Sequence, residues 1–345
     1  LGKKLFGVVL MNNGTVHTPE KTGEYGAGEA AVRGASAPGK PAGRKHAGMS
    51  RRNRNRLIFY CVFLALPVLQ FCVFYIGVNF NSILLAFKDY SYEDGSFQWV
   101  GFENFSEVFY DFKTLLYMRA SVKNSLLLYV FTLLGTVLAL FFSYYIYKKA
   151  PLSGFYRTIL FLPNIISSIV MVLMFKYFVE RAIPEIVYMI NPDSTFPGLL
   201  ADPDYVLPTL IFYCVWSGFG TQMLMYTGAM GGISDSVIEA AKLDGVTPLK
   251  EFFYIVLPLI YPTVVTFVVV GVSGIFTNQM NLFNFYGLQA EYRYYTFGYY
   301  LYRQTQSANI SQYPKLAALG LLLTAVAVPL TLLIRKGLEK AGPKA

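Results

Sequence analysis

Residues 57–87 form an apolar run that contains no formally charged side chain. A helix of about 20 residues is already long enough to cross the hydrocarbon core of a bilayer. The run is therefore longer than one membrane crossing requires. We expect its helix to tilt, or to break near Asn79 and Asn81.

Five further apolar runs cover residues 124–147, 158–178, 205–230, 255–276 and 316–334. Hydrophobic residues make up 54% of the chain and charged residues only 14%, whereas a soluble domain carries about 25% charged residues. A soluble fold could not bury this much apolar surface in ordinary cores. The sequence therefore predicts an all-α membrane protein with six transmembrane helices.

Residues 1–48 differ from the rest of the chain, because they are rich in Gly, Ala, Pro and Lys. Such a segment cannot bury enough apolar surface to offset the entropy lost on ordering. It does not resemble a signal peptide, since the apolar stretch at residues 5–11 is too short. We expect residues 1–48 to be a disordered N-terminal extension, or upstream sequence that is foreign to the protein, and residues 49–345 to be the transmembrane domain.

The loops between the apolar runs differ in charge. Lys and Arg are more frequent in the segments on the N-terminal side of the membrane than in the loops on the other side. Basic residues accumulate in cytoplasmic segments, so we expect a multi-pass protein of the cell membrane with both termini in the cytoplasm. The formal charge of +9 is then an orientation signal. We expect no nucleic-acid binding, because no basic stripe with interleaved aromatic residues is present outside the apolar runs.

The sequence also argues against most catalytic sites. The only histidines, His17 and His46, precede the first apolar run, and Cys61, Cys72 and Cys214 lie within apolar runs without metal-ligand spacing. We therefore expect no metal site and no catalytic residue. The chain lacks a GxxxxGK[ST] phosphate-binding loop, so we also expect that it binds no nucleotide cofactor itself.

The segment between the fourth and fifth apolar runs is polar and contains helix-start and helix-stop signals. Ser234 or Asp235 is a suitable N-cap for a short helix that ends at Leu243. Gly245 can adopt the left-handed conformation that ends a helix, and Pro248 suits the first turn of the next one. The spacing predicts two short helices joined by a turn on the cytoplasmic surface.

The same segment contains a spaced motif, which consists of Glu239, Ala240, Ala241, Asp244, Gly245, Ile255, Leu257 and Pro258. This pattern resembles the EAA loop of binding-protein-dependent ABC importer permeases, and the resemblance extends over residues 50–340. Residues 157–163 resemble the stretch found there in carbohydrate-type permeases. The chain departs from the family pattern at Ser234 and Asp235, where a Pro often follows the position of Ile233. This slightly changes the start of the first short helix and leaves the match otherwise intact.

The resemblance implies a helix-turn-helix coupling loop that docks in a groove on an ATPase subunit. Glu239 would supply a charged contact, the two alanines would leave room, and Gly245 would supply the bend. It also implies partners: a second homologous permease subunit, two ATP-binding subunits that use ATP and magnesium, and an extracellular solute-binding protein.

Neutral polar and aromatic residues mark a candidate substrate path, which comprises Tyr213, Trp216, Gln222, Tyr226, Asn278, Gln279, Asn281 and Asn284. Amide side chains both donate and accept hydrogen bonds, which suits neutral ligands rich in hydroxyl groups. The rings of Tyr213 and Trp216 could stack on a sugar ring. Asn278 and Asn281 share a helix face if the fifth helix continues that far. Each of these residues could instead make a hydrogen bond between helices.

These observations favour the permease subunit of an ATP-driven importer that transports a carbohydrate. The alternative is an ion-coupled secondary transporter of a neutral polar solute. That class would show intramembrane acids or paired half-chain repeats, whereas the only charged residue within the six runs is Lys176, near the end of the third.

Overall fold

The computed structural model describes residues 51–343. The prediction for residues 1–48 lies outside that part of the chain. The described part of the chain divides into two units, and the boundary between them lies after Phe63, within the first helix, α1 (Arg51–Gln70). In the first unit, the side chains of residues 58–63 are all exposed, and the rings of Phe59 and Phe63 stack with centroids 6.1 Å apart.

The predicted break near Asn79 and Asn81 is wrong. A π-helical stretch over Phe71–Gly77 leads directly into α2 (Val78–Leu85), which runs through both residues. The Asn79 side chain donates to the Tyr75 carbonyl at 2.5 Å, so its polar group is satisfied within the helix itself. The irregular helical turns therefore lie before the two asparagines, and neither of them interrupts the helix.

A small hairpin and an amphipathic helix follow the first apolar run. Strands β1 (Lys88–Ser91) and β2 (Ser96–Trp99) pair antiparallel, and α3 (Glu103–Thr114) comes next. The buried side chain of Asn104 donates to the carbonyls of Ala86 (3.0 Å) and Lys88 (2.7 Å), which fixes α3 against the end of α2.

The remaining helices are α4 (Leu116–Tyr147), α5 (Ser153–Ile165), α6 (Ser168–Tyr177), α7 (Ile183–Ile190), α8 (Pro203–Gly231), α9 (Asp235–Leu243), α10 (Pro248–Glu251), α11 (Leu257–Thr277), α12 (Leu282–Tyr286), α13 (Phe297–Ser307) and α14 (Tyr313–Ala341). Short π-helical stretches over Phe178–Ala182 and Phe252–Val256 join α6 to α7 and α10 to α11. The chain is thus mostly helical over its described part.

Among the described residues, four helical stretches are long and apolar enough to cross a membrane: Ile58–Leu85, Leu116–Tyr147, Pro248–Thr277 and Ile310–Ala341. A fifth is present if Ser153–Ile165 and Ser168–Ile190 form one span, although the chain bends by 107° between them. The bend arises because Ile166 is extended and Ser167 has a non-helical ψ of 134°, so the helix is interrupted between α5 and α6.

The fourth predicted run lies within α8, which is long enough to span a bilayer but is diluted by Gly, Thr and Gln. The structure therefore supports a multi-pass membrane protein, and the number of six spans stays a prediction.

Helices α4, α5, α8 and α11 pack together in the second unit, and α14 packs against α11. One buried cluster surrounds Tyr213 and Tyr299, and a second surrounds Tyr226 and Phe252. Between α4 and α8, the buried hydroxyl of Ser143 donates to the Met223 carbonyl at 3.0 Å.

Helix α8 approaches α5 closely at Gly220. A Cβ atom at this position would collide with the carbonyl oxygen of Leu160 and would lie 2.8 Å from the Nδ2 atom of Asn164. Gly228, two turns further along α8, has no such neighbour within 4 Å. Packing therefore requires a glycine at position 220, whereas position 228 has room for a side chain.

We expect Gly220→Ala to destabilise the protein, because overpacking a tight contact costs about 1–3 kcal/mol. Gly228→Ala is the matched control on the same helix, and it should be neutral or stabilising, since Ala favours helix over Gly by about 1 kcal/mol. The measurement is the midpoint of thermal unfolding of the purified protein in detergent. Equal midpoints for the two variants would contradict the proposed contact.

Candidate functional site

A groove of about 310 Å³ lies between α4, α8 and α11. Its polar lining comprises Ser125, Tyr129, Thr132, Thr221, Gln222 and Asn278, and none of its lining residues carries a formal charge. On α4 the polar lining positions are spaced by four and three residues, as expected for one face of a helix. No cluster of three or more His, Cys, Asp or Glu side chains that could hold a metal ion is present within residues 51–343.

Hydrogen bonds between helices hold two of the groove residues in place. The Thr136 hydroxyl donates to Oε1 of Gln222 at 3.1 Å, which links α4 to α8. The Thr221 hydroxyl donates to Oδ1 of Asn164 at 2.7 Å, which links α8 to α5. Gly274 widens the groove, since no atom lies within 4 Å of the position that its Cβ would occupy.

Of the eight predicted path residues, the structure places Gln222 and Asn278 on this groove. Tyr213 is 2% exposed, and its ring packs against the rings of Phe175 (4.9 Å), Phe285 (5.1 Å) and Trp216 (6.1 Å). Trp216 is half-buried in the same cluster. In this conformation the two aromatic residues form part of a core and do not line the groove.

Tyr226 is fully buried in the second cluster, with its ring 5.0 Å from that of Phe267. Its hydroxyl has no hydrogen-bond partner among the described residues. Tyr226 and Gln222 lie on the same face of α8, as the sequence predicts, but only Gln222 lines the groove.

Asn278 and Asn281 would share a helix face only if the fifth helix continued that far, and the structure shows that it does not. Helix α11 ends at Thr277, and Asn281 has a backbone φ of +52°. A tertiary contact explains the helix end: the Thr296 hydroxyl donates to the Asn278 carbonyl at 2.7 Å, and a Cβ on Gly298 would collide with the Thr277 carbonyl.

The other two amides near the end of α11 have local roles in the structure. Asn284 donates from Nδ2 to Oδ1 of Asn281 at 3.2 Å, and the Asn281 amide contacts the sulfur of Cys214 at 3.7 Å. Gln279 is half-buried, and its backbone carbonyl accepts a hydrogen bond from the backbone amide of Leu282 at 3.0 Å. Neither Asn281, Asn284 nor Gln279 lines the groove.

A second candidate site is the segment of α9, the following turn and α10, residues 235–251, which we call the elbow. Gly245 has a φ of +69°. The amides of Gly245 and Val246 donate to the carbonyls of Lys242 (3.1 Å) and Ala241 (3.0 Å), so the turn closes the end of α9. The next helix begins at Pro248.

The motif residues divide between two faces of the elbow and the start of α11. Glu239, Ala240, Asp244 and Gly245 are exposed. Ala241 is 5% exposed and therefore lies on the buried face of α9. Leu257 and Pro258 are half-buried in the first turn of α11.

Several residues of these sites were missed at the sequence level. Ser125, Tyr129 and Thr132 could have been found, because their spacing on the second apolar run places three polar side chains on one face. The exposed apolar side chains of Leu243 (89%) and Tyr254 (79%) carry no sequence signal of this kind, since an apolar residue next to a turn is just as often buried.

Comparisons with known proteins agree with this architecture. Residues 132–340 match the family described as binding-protein-dependent transport system inner membrane component. A probable ABC transporter permease, YurN of Bacillus subtilis, is 28% identical and covers 65% of this chain and 77% of its own length. The diacetylchitobiose uptake system permease NgcF of Streptomyces coelicolor is 27% identical, with 70% and 72% covered.

The fold is similar to that of a chain in the crystal structure of a bacterial alginate ABC transporter in complex with an alginate pentasaccharide-bound periplasmic protein. The TM-score is 0.65 at 22% identity, and the match covers 81% of this chain and 93% of the other. At this identity the likeness concerns the fold alone.

The groove predicts a contrast between two positions on α11. With the native cysteines replaced, Gly274→Cys should react with a membrane-impermeant, hydrophilic thiol reagent, because the new side chain faces the groove and can ionise in water. Val272→Cys is the matched control, since Val272 is 0% exposed. The rate of modification is measured in membranes; equal rates at the two positions would contradict a water-accessible groove.

Proposed function

Because the chain belongs to the family of binding-protein-dependent transport system inner membrane components, we propose that it is the permease subunit of an ATP-driven importer and forms part of the path for a neutral carbohydrate. The observation that carries this proposal is the groove between α4, α8 and α11, whose polar lining is made only of hydroxyl and amide side chains. The family is one of transport permeases and not of enzymes.

The chemistry of the groove indicates the substrate class. Hydroxyl and amide groups both donate and accept hydrogen bonds, as a sugar does. A charged substrate would call for a compensating charge in the membrane, and such charges are costly and seldom present without a function. One relative is named for uptake of diacetylchitobiose, and the solved structure of similar fold belongs to an alginate transporter. The uncharged groove favours a neutral saccharide of the first kind over an acidic one.

The membrane topology follows from the same proposal. With α8 and the bent pair of α5 and α6 each counted as one crossing, the chain crosses the membrane six times and has both termini in the cytoplasm. The elbow then lies on the cytoplasmic side. A second homologous permease would supply the opposite wall of the path, and an extracellular solute-binding protein would deliver the substrate to the other side.

The elbow is the proposed docking site for one of two ATP-binding subunits. Its exposed surface combines Glu239 and Asp244 with Ala240 and the apolar side chains of Leu243 and Leu249. An exposed apolar patch rimmed by charges is typical of a protein interface. The chain itself would bind no cofactor, since ATP and magnesium would be used by those subunits.

The alternative, an ion-coupled secondary transporter, has less support. Intramembrane acids and bases are the usual sign of ion or proton coupling, and the lining residues of the groove include no Asp, Glu, His, Lys or Arg. Lys176 is not on the groove; its Nζ lies 4.0 Å from Glu180 Oε1 and above the ring of Tyr286.

The function is tested by uptake into proteoliposomes that contain the assembled transporter. We expect ATP-dependent uptake of neutral oligosaccharides, with no uptake of acidic ones, because the groove offers an anion no counter-charge. Ionophores that dissipate ion gradients serve as the control and should leave uptake unchanged. Loss of uptake with ionophores would favour the ion-coupled alternative, and uptake of acidic oligosaccharides alone would contradict the substrate class.

The turn of the elbow gives a second test. We expect Gly245→Val to lower the amount of sugar transported per ATP hydrolysed, because the left-handed conformation costs a residue with a Cβ roughly 1–2 kcal/mol. Gly245→Asn is the control, since Asn adopts this conformation more readily. No atom lies within 4 Å of a Cβ at this position, so neither variant meets a clash within the chain. Equal coupling in the two variants would argue against a role for the turn.

A further inference from the structure

A buried ion pair joins the elbow to α4. Glu251, the last residue of α10, has a side chain that is only 3% exposed. Lys148 directly follows the last residue of α4, and its Nζ lies 2.9 Å from Oε1 and 3.0 Å from Oε2 of Glu251. Both carboxylate oxygens are therefore bound by one ammonium group.

Neighbouring contacts reinforce the same junction. The Tyr144 hydroxyl donates to the Pro248 carbonyl at 2.9 Å, so the other end of α10 is also bound to α4. The ring of Phe252 lies 5.0 Å from that of Tyr144 and 5.1 Å from that of Phe141. We call the ion pair, this hydrogen bond and these ring contacts the α4 clasp.

The physical cost of opening the clasp is high. Transfer of a carboxylate out of water is costly, and the cost is offset only while the partner charge stays in place. Moving α10 away from α4 would leave Glu251 buried without its counter-charge, or would require water to enter the junction. Apolar contacts alone, by comparison, can slide past one another.

The position of the clasp relates it to the groove. The elbow is continuous with α11 through the π-helical stretch Phe252–Val256, and α11 forms one wall of the groove. The helix held by the clasp, α4, forms another wall. A displacement of the elbow is therefore passed to α11 through the backbone and to α4 through the ion pair.

We propose that the Lys148–Glu251 pair makes α4 move with the elbow as one body, so that both groove walls respond when the ATP-binding subunits close. Glu251 and Lys148 are then positioning residues for transport. This proposal rests on the proposed function, because it assigns the elbow to an ATP-binding subunit.

The main test replaces both charges at once. The single variant Lys148→Met would leave a buried carboxylate unpaired and could simply fail to fold. The double variant Lys148→Met with Glu251→Leu removes both charges, and such apolar replacements of a buried pair are often neutral or stabilising. Lys148→Arg is the conservative control, since a guanidinium can also bind both carboxylate oxygens.

In the assembled transporter, we expect the double variant to transport about fivefold less sugar per ATP hydrolysed, the lower end of typical coupling between two sites. Lys148→Arg should retain the normal ratio. An unchanged ratio in a double variant that is stable and assembled would overturn the proposal.

A distance measurement separates this proposal from the proposed function. Spin labels are attached at Lys250→Cys on the elbow and Leu126→Cys on α4, both exposed positions, after removal of the native cysteines. Electron paramagnetic resonance then compares the nucleotide-free complex with the complex trapped by ATP and vanadate. We expect an unchanged distance with the native pair and a changed distance in the double variant.

This measurement does not require that the substrate is known. A distance that changes equally with and without the pair, or that changes in neither case, would overturn the role of the clasp. Failure of the unmodified complex to take up any carbohydrate would instead count against the proposed function and would leave the distance result intact.

Discussion

In a lipid environment, two apolar helices gain little by burying apolar surface against each other, so they are held by close approach and by hydrogen bonds. The contact between α4 and α8 shows both. A Cβ on Gly135 would lie 2.7 Å from the Val215 side chain, and Ser143 bonds the Met223 carbonyl. The groove depends on this contact, because it fixes the two helices whose remaining faces, together with α11, form the lining.

Neutral polar side chains both hold the helices of this bundle together and line the groove. Thr136 is buried and binds the Gln222 oxygen, while Thr132, one turn away on α4, lies on the groove. A neutral polar group can be satisfied by a neighbouring helix when no ligand is present, whereas a charge at the same depth would need a permanent partner. An uncharged groove is therefore compatible with a structure that stays packed whether or not a ligand is bound.

Local signals made the elbow predictable. Gly245 adopts the positive φ that its position after a helix suggests, and the next helix begins at Pro248, where its missing amide costs nothing. The end of α11 was not predictable in this way. It is set by Thr296 and Gly298, which contact its last turn from a distant part of the chain. The Lys148–Glu251 ion pair could not be predicted from the sequence for the same reason, since no local pattern links residues that far apart in the chain.

Ion pairs of very different kinds occur in the described part of the chain. Arg335 and Glu339 are both more than half exposed, and such surface pairs contribute little to stability because water solvates each partner well. Glu251 differs because its carboxylate is almost completely removed from water while Lys148 keeps about a quarter of its side chain exposed. The partial exposure lowers the cost of keeping the ammonium group charged, and the burial of the acid makes separation costly. An interaction with this asymmetry is cheap to maintain and costly to break, which is what a junction that transmits displacement between two helices requires.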